Sequence, residues 1–304
     1  MRKLFCLLAL VIFSMNTFGN PGDSTLKTKR IKRYHVNYWV TGSIIGIGMI
    51  GDIFAIPRLK NKASLSDDEL IFANTQAQKD LIFSFDRWAL KQPVSDRALW
   101  KKISDYGEIG IFLLPSLLLI DKNIRRDWYD ILLMYVEGHT ITFTMYNYSP
   151  LGPTFQNRLR PAVYYPELGS EAQKNSNNRN SFFSGHVGSC AYSTFFMVKV
   201  YCDYHPQIGA AKYLLYLAAS VPPLAIGYAR IRSLDHFPSD IAVGFALGAI
   251  IGIVLPELHK SKLYKQLSIG MYDSPEATGL TLRFKFPAQL KGSFLSRWSR
   301  HTVK

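Results

Sequence analysis

Six apolar stretches dominate this chain and limit what it can fold into. They run at about 36–56, 107–120, 128–147, 187–203, 209–229 and 240–256. The last reads "DIAVGFALGAIIGIVLP", with one charge at its first residue. A bilayer-spanning helix needs roughly 20 apolar residues. Several of these stretches are a little shorter, and tilt or flanking aromatic residues make up the difference. The second contains Pro115 and is expected to start before residue 107. The expected fold is therefore all-α: a polytopic membrane bundle of about six transmembrane helices. Charged residues make up only 19% of the 304, against roughly 25% in an ordinary soluble domain.

The chain carries a net charge of +14. Its basic residues flank the apolar stretches and do not collect on a polar domain, which argues against nucleic-acid binding. They also set a topology. "KTKRIKR" (27–33), "DKNIRRD" (121–127) and "HKSKLYKQ" (259–266) alternate with the longer loops. By the positive-inside rule these three are cytoplasmic. Loops 57–106, 148–186 and 229–239 then face the other side. The leader "MRKLFCLLALVIFSMNTFGN" has the form of a secretory signal peptide, with an uncleaved anchor as the alternative. Cleavage would place the new N-terminus on the side opposite to the one the loops require. The three cysteines, Cys6, Cys190 and Cys202, give neither a disulfide framework nor a zinc spacing.

This divides the chain into a leader (1–20), a first transmembrane helix with an amphipathic loop (21–104), a catalytic helical bundle (105–256) and a basic tail (257–304). Within the loop, "SLSDDEL" reads as a helix start capped by Ser64 or Ser66. Phe83, Phe85, Trp88 and Leu90 are candidates for the membrane interface. In the tail, "TGLTLRFKF" alternates like a short strand. Asp52, Glu137 and His139 lie inside apolar stretches, where ionisable groups are functional or paired. None fits a motif, so each is expected to make a structural pair inside the bundle.

Three polar clusters fall at the ends of apolar stretches on the same side. They are "QNRLRPAVY" (156–164), "RNSFFSGH" (179–186) and "ARIRSLDHFPSD" (229–240). In the third, five residues separate Arg230 from His236 and three separate His236 from Asp240. Together they supply what phosphoryl transfer needs. Arginine pairs with phosphate oxygens bidentately. Arg160 and Arg230 suit that role, with Arg158 or Arg179 assisting. A helix N-terminus offers backbone N–H groups to the same anion, and Ser184 and Gly185 stand at one. His236 is the candidate nucleophile. Asp240, one helical turn on, is placed to fix its tautomer. His186 is the candidate proton donor to the leaving alkoxide.

The order Arg-Pro, Ser-Gly-His, Arg-x5-His-x3-Asp resembles the type 2 phosphatidic acid phosphatase (PAP2) superfamily, over about residues 105–256. The resemblance implies a metal-independent phosphoric monoester hydrolase without a cofactor, working through a phosphohistidine. In it His236 is the nucleophile, Asp240 its orienter and His186 the acid. Arg160, Ser184, Gly185 and Arg230 bind phosphate. Two positions depart from the family pattern. Phe183 replaces the proline before Ser-Gly-His, and Pro153 stands where the first motif has lysine. Arg158 is the candidate to replace that lysine's charge. The leader, the loop "FSFDRWALKQPVSDRALWKKISDYGE" and "NNRNSFFSGH" resemble envelope phosphatases of Gram-negative bacteria of the Bacteroides group, lipid A phosphatases among them. The resemblance implies an inner-membrane lipid phosphatase whose site faces the periplasm, with lipid A phosphate as preferred substrate. Its partners would be membrane lipids and the lipid phosphate, with no nucleic acid and no obligate protein. The alternatives are undecaprenyl diphosphate or phosphatidylglycerol phosphate as substrate, a lipid phosphotransferase, and a non-catalytic homologue.

Overall fold

Six long helices form where the apolar stretches lie. We number them α1 (Tyr38–Lys60), α2 (Arg97–Leu113), α3 (Trp128–Tyr148), α4 (Gly185–Tyr204), α5 (Lys212–Arg232) and α6 (Pro238–Lys260). The computed structural model describes residues 32–260 and, as backbone, 267–274 and 277–284. The leader 1–20, Cys6 and the rest of the basic tail lie outside the described residues. From Arg33 onward the described residues belong to one unit.

Four helical stretches are long and apolar enough to cross a membrane: Tyr38–Lys60, Arg97–Ile120, Pro206–Arg232 and Pro238–Lys260. The chain is a multi-pass membrane protein. The second stretch starts ten residues earlier than its apolar run, because polar Arg97–Tyr106 continues the same helix. It continues past Pro115 as a 3₁₀ turn at Leu114–Ile120. Helices α3 and α4 fall outside the four because they are central and carry polar side chains. Val187 to Phe196 is buried without interruption and includes Ser189, Ser193 and Thr194. Outward-facing Ile47, Ile50, Ile53, Leu214, Leu217 and Val221 are each more than half exposed, as befits a lipid-facing surface.

The ionisable groups inside the bundle are paired, as expected. Glu137 Oε2 accepts from Thr41 Oγ1 and contacts His259 Nε2, both at 2.9 Å. Asn147 donates to Asp52 at 2.8 Å, and His139 Nε2 meets Ser193 Oγ at 3.2 Å. The tail strand also forms. Residues Leu267–Ser274 and Ala277–Phe284 pair antiparallel, Leu267 opposite Phe284.

A glycine row sets the central packing. A Cβ at Gly244 would lie 2.4 Å from the Ser184 carbonyl oxygen, and one at Gly248 would lie 2.1 Å from that of Gly188. At Gly252 it would meet Phe195 and Phe196 at 2.9 Å. Small residues four apart allow α6 to lie backbone-to-backbone on α4. The N-terminus of α6 is thereby held against that of α4, and Ser184 N–H donates to the Asp240 carbonyl at 3.1 Å.

The loops sort to two ends. Segments 57–96, 149–184 and 233–237 meet at one: Asn74 donates to Val163 O, Gln92 N–H to Tyr165 Oη, and Ala162 N–H to Leu234 O. Ser66 caps the helix Asp67–Ala73 through a reciprocal box with Glu69. Phe83, Phe85 and Trp88 are exposed there, while Leu90 packs against the core. At the other end Tyr34 reaches Asp203, Tyr204 reaches Asp127, and His205 meets Asp121.

Candidate active site

The three polar clusters converge at the first of these ends. α5 closes at Arg232, and a short turn carries the chain back to Pro238, the first residue of α6. Leu234 in that turn is fully buried with φ of 61°, a left-handed conformation that leucine seldom adopts. The turn folds Asp235 back on Arg230, whose carbonyl accepts Asp235 N–H at 3.1 Å.

His236 is 2% exposed. Its Nδ1 lies 2.6 Å from the Ser181 carbonyl oxygen and 3.6 Å from Asp240 Oδ2. A carbonyl only accepts, so Nδ1 carries the proton and Nε2 keeps its lone pair. The nearer orienting group is thus a backbone carbonyl, not the expected carboxylate. Asp240 acts from just outside hydrogen-bond range because other donors hold it: Ser181 Oγ at 2.6 Å, Phe237 N–H at 2.8 Å, and Arg158. Burial, reinforced by the charges of Arg230 and Arg160 and opposed by Asp240, lowers the His236 pKa to about 4. The imidazole is neutral at physiological pH.

Arg160 and Arg230 face one carboxylate. Arg160 Nη1 donates to Asp235 Oδ1 at 2.9 Å, and Arg230 Nη2 lies 3.2 Å from Asp235 Oδ2. Burial alone would raise the Asp235 pKa, but the two guanidiniums hold it well below the usual carboxylate range. Arg230 Nη1 also reaches Ser104 Oγ at 3.2 Å and Asp105 Oδ1 at 3.3 Å. Both Nε–H groups are buried without a hydrogen-bond partner, as is Ser184 Oγ. Buried donors rarely go unpaired. These three belong to residues that the sequence had marked for phosphate, and Ser184 is the N-cap of α4. The first-turn N–H groups of an α-helix have no partner within the helix and favour an anion. Gly185 follows, and a Cβ there would stand 3.4 Å from the Tyr146 ring, an ordinary contact.

His186 is partly exposed. Its Nε2 lies 3.3 Å from both Asp105 Oδ1 and Glu108 Oε2 of α2.

Two of the marked arginines are placed differently from the expectation. Arg158 Nη2 donates to Asp86 Oδ2 at 2.6 Å, while Nη1 donates to Ser239 Oγ at 2.8 Å and to Asp240. Its guanidinium lies over the Phe237 ring, 4.9 Å from the centroid. Arg158 is engaged by two carboxylates and the Ser239 hydroxyl, and it clamps Asp240. Arg179 donates to both Glu69 oxygens, at 2.7 and 2.8 Å, which removes it from the site. Opposite Pro153 stands Lys62, whose ammonium donates to the carbonyls of Pro153 at 2.5 Å and Gln156 at 2.7 Å. Burial and the nearby Arg179 lower its pKa to about 8. A lysine does reach this position, but it ties the loop together.

Asp86 was not foreseen. It is 1% exposed, binds Arg158, and accepts from Ser239 N–H at 2.8 Å and Ser239 Oγ at 2.7 Å. It comes from 72 residues before Arg158. Asp105 and Glu108 beside His186 were also missed; like Asp86, they fall within the loop 83–108 but in none of the three motifs.

Residues 135–263 match the model of the PAP2 superfamily. One similar solved structure is that of the first transmembrane PAP2 type phosphatidylglycerolphosphate phosphatase from Bacillus subtilis. It shares 16% sequence identity with a TM-score of 0.41, covering 72% of this chain and 94% of that one. No curated protein matches the chain.

Proposed function

We propose, from the match of residues 135–263 to the PAP2 superfamily model, that the chain is an integral membrane phosphatase of lipid phosphates acting through a phosphohistidine. The observation that carries this reading is the set of unpartnered buried donors, Arg160 Nε, Arg230 Nε and Ser184 Oγ, beside a neutral His236. His236 Nε2 attacks phosphorus and the bond from phosphorus to the lipid oxygen breaks. The departing oxygen takes a proton from His186. Water then attacks the phosphohistidine, giving its proton to His186, and inorganic phosphate leaves. Arg160, Arg230, Ser184 and the first-turn N–H groups hold the phosphoryl oxygens throughout. Ser181 and Asp240 keep Nδ1 protonated and support the positive charge on the ring.

Lipid A phosphate, at the periplasmic face of the inner membrane, is the substrate we favour. The support is the resemblance of the leader and of the loop 83–108, together with the separation of the basic loop 121–127 from the motif loops, which lie at opposite ends. Undecaprenyl diphosphate and phosphatidylglycerol phosphate also place phosphate at the interface. The test is phosphate release by purified protein in detergent from a panel of these lipids, with chelator present. We expect release from lipid A phosphate above the others. No release from any of them contradicts the reading, as does activity that chelator abolishes and magnesium restores.

A further inference from the structure

The candidate catalytic groups sit at the N-terminal ends of α4 and α6. The C-terminal ends of the same helices frame a second cavity of about 910 Å³. At the rise of an α-helix, His186 and Asp203 stand about 25 Å apart along α4. That approaches the ~30 Å of a bilayer hydrocarbon core. The cavity and the candidate active site therefore lie at opposite membrane boundaries.

The cavity wall carries four cations, Arg33, Lys199, Lys212 and Lys260, against two carboxylates, Asp203 and Glu257. Both carboxylates are already engaged. Lys199 Nζ contacts Asp203 at 2.5 Å and Glu257 at 2.6 Å, and Lys260 Nζ contacts Asp203 at 2.9 Å. Tyr34 Oη adds a third donor to Asp203. His205, also in the wall, is taken by Asp121 at 2.8 Å. Among the described residues Arg33 and Lys212 have no carboxylate partner. Lys212 Nζ lies only over the Tyr213 ring, 5.2 Å from its centroid. The rest of the wall is apolar, with Phe195, Tyr216 and Ile253. It continues into Tyr213, Leu214 and Leu217, each about two-thirds exposed on the outward face of α5.

An excess of two positive charges at a membrane boundary, joined to a lipid-facing apolar wall, suits a ligand with an anionic head and an acyl chain. We propose that this cavity binds the phosphate headgroup of one anionic phospholipid, in the leaflet opposite the candidate active site. Arg33 and Lys212 meet the phosphate, and Phe195, Tyr216 and Ile253 flank the start of an acyl chain. A zwitterionic lipid carries the same phosphate, but its own ammonium offsets the attraction. Free phosphate lacks the apolar part.

Native mass spectrometry of the full-length protein, released from detergent after incubation with defined lipids, tests this. We expect one retained phosphatidylglycerol, favoured about 10-fold or more over phosphatidylcholine. The double variant Arg33→Glu, Lys212→Glu should lose it while keeping wild-type phosphate release from a short-chain substrate. Arg33→Gln, Lys212→Gln, a milder pair in case charge reversal impairs folding, should weaken it in the same direction. Equal retention of both lipids overturns the proposal, and so does retention unchanged in both double variants. Displacement of the lipid by millimolar inorganic phosphate would assign the cavity to a free anion and overturn it too.

Discussion

Arg158 and Arg160 are two residues apart in the chain and enter two different networks. Arg158 lies between two carboxylates, Asp86 and Asp240, with both terminal nitrogens engaged. Arg160 and Arg230 instead share one buried carboxylate, Asp235, and each keeps an unpartnered Nε–H. The first network holds one positive charge against two negative ones. The second holds two positive charges against one buried negative one, with Asp105 reaching Arg230 only from the partly exposed mouth. A network with a negative surplus disfavours a phosphate, and its contacts hold Asp240 and the start of α6 in place. An open network with a positive surplus suits an anion. Charge surplus, more than the presence of arginine, separates the two roles.

The largest effect falls on the residue between the networks. His236→Ala should lower phosphate release by several orders of magnitude while the protein still purifies as a folded monodisperse species. Asp240→Asn should lower kcat less completely, since the Ser181 carbonyl still fixes the tautomer. Retention of wild-type turnover by His236→Ala contradicts the mechanism.

Vanadate inhibition separates the networks next. Vanadate adopts the geometry of the transferring phosphoryl group. Arg230→Gln should weaken its inhibition about 10- to 100-fold, the range for losing charge-assisted hydrogen bonds. Arg158→Gln should lower kcat but leave the vanadate inhibition constant within about 3-fold. Equal losses of vanadate affinity would erase the distinction between the networks.

Two glycines sharpen it further. Gly185→Ala meets only an ordinary contact with Tyr146, so the fold should survive. Activity should still fall about 10-fold, because the added methyl narrows the space between the α4 N-terminus and Tyr146, beside the proposed phosphate site. Gly244→Ala drives a methyl into the Ser184 carbonyl. It should lower the melting temperature, with an overpacking penalty of about 1–3 kcal/mol. If Gly185→Ala loses stability as Gly244→Ala does, its role is packing.

The smallest effect is in pH dependence. A nucleophilic histidine must be unprotonated, and the His236 pKa is lowered to about 4. The acid limb of kcat/KM due to this group should therefore fall near pH 4, once the ionisation of the substrate is accounted for. An ordinary histidine titrates near 6.5. An enzyme-derived limb there would mean that His236 is solvated.

The parts of this account legible in the sequence are those written in local pattern. Apolar runs located the six long helices, and "SLSDDEL" announced a helix start, though the choice of Ser66 over Ser64 and its box with Glu69 came from the structure. The spacing of Arg230, His236 and Asp240 marked the turn into α6. The four-residue spacing of Gly244, Gly248 and Gly252 is present in the sequence, but nothing there names α4 as its partner, and only the structure picks it out. Asp86 gave no signal, since an acidic residue in a polar loop is common and its arginine is far away in the chain. Ser181 orients His236 through its carbonyl, which every residue possesses. Arg158 looked available for phosphate because a sequence shows a charge without showing what neutralises it.

The central claim is that phosphate passes through His236. Rapid acid-free quenching of wild-type protein with phosphorus-labelled lipid phosphate, followed by denaturing separation, reads this directly. The account predicts protein-bound label that is stable to base, labile to acid, confined to the peptide containing His236 and absent from His236→Ala. A wild-type enzyme that turns over without such label, or label that persists in His236→Ala, would contradict it.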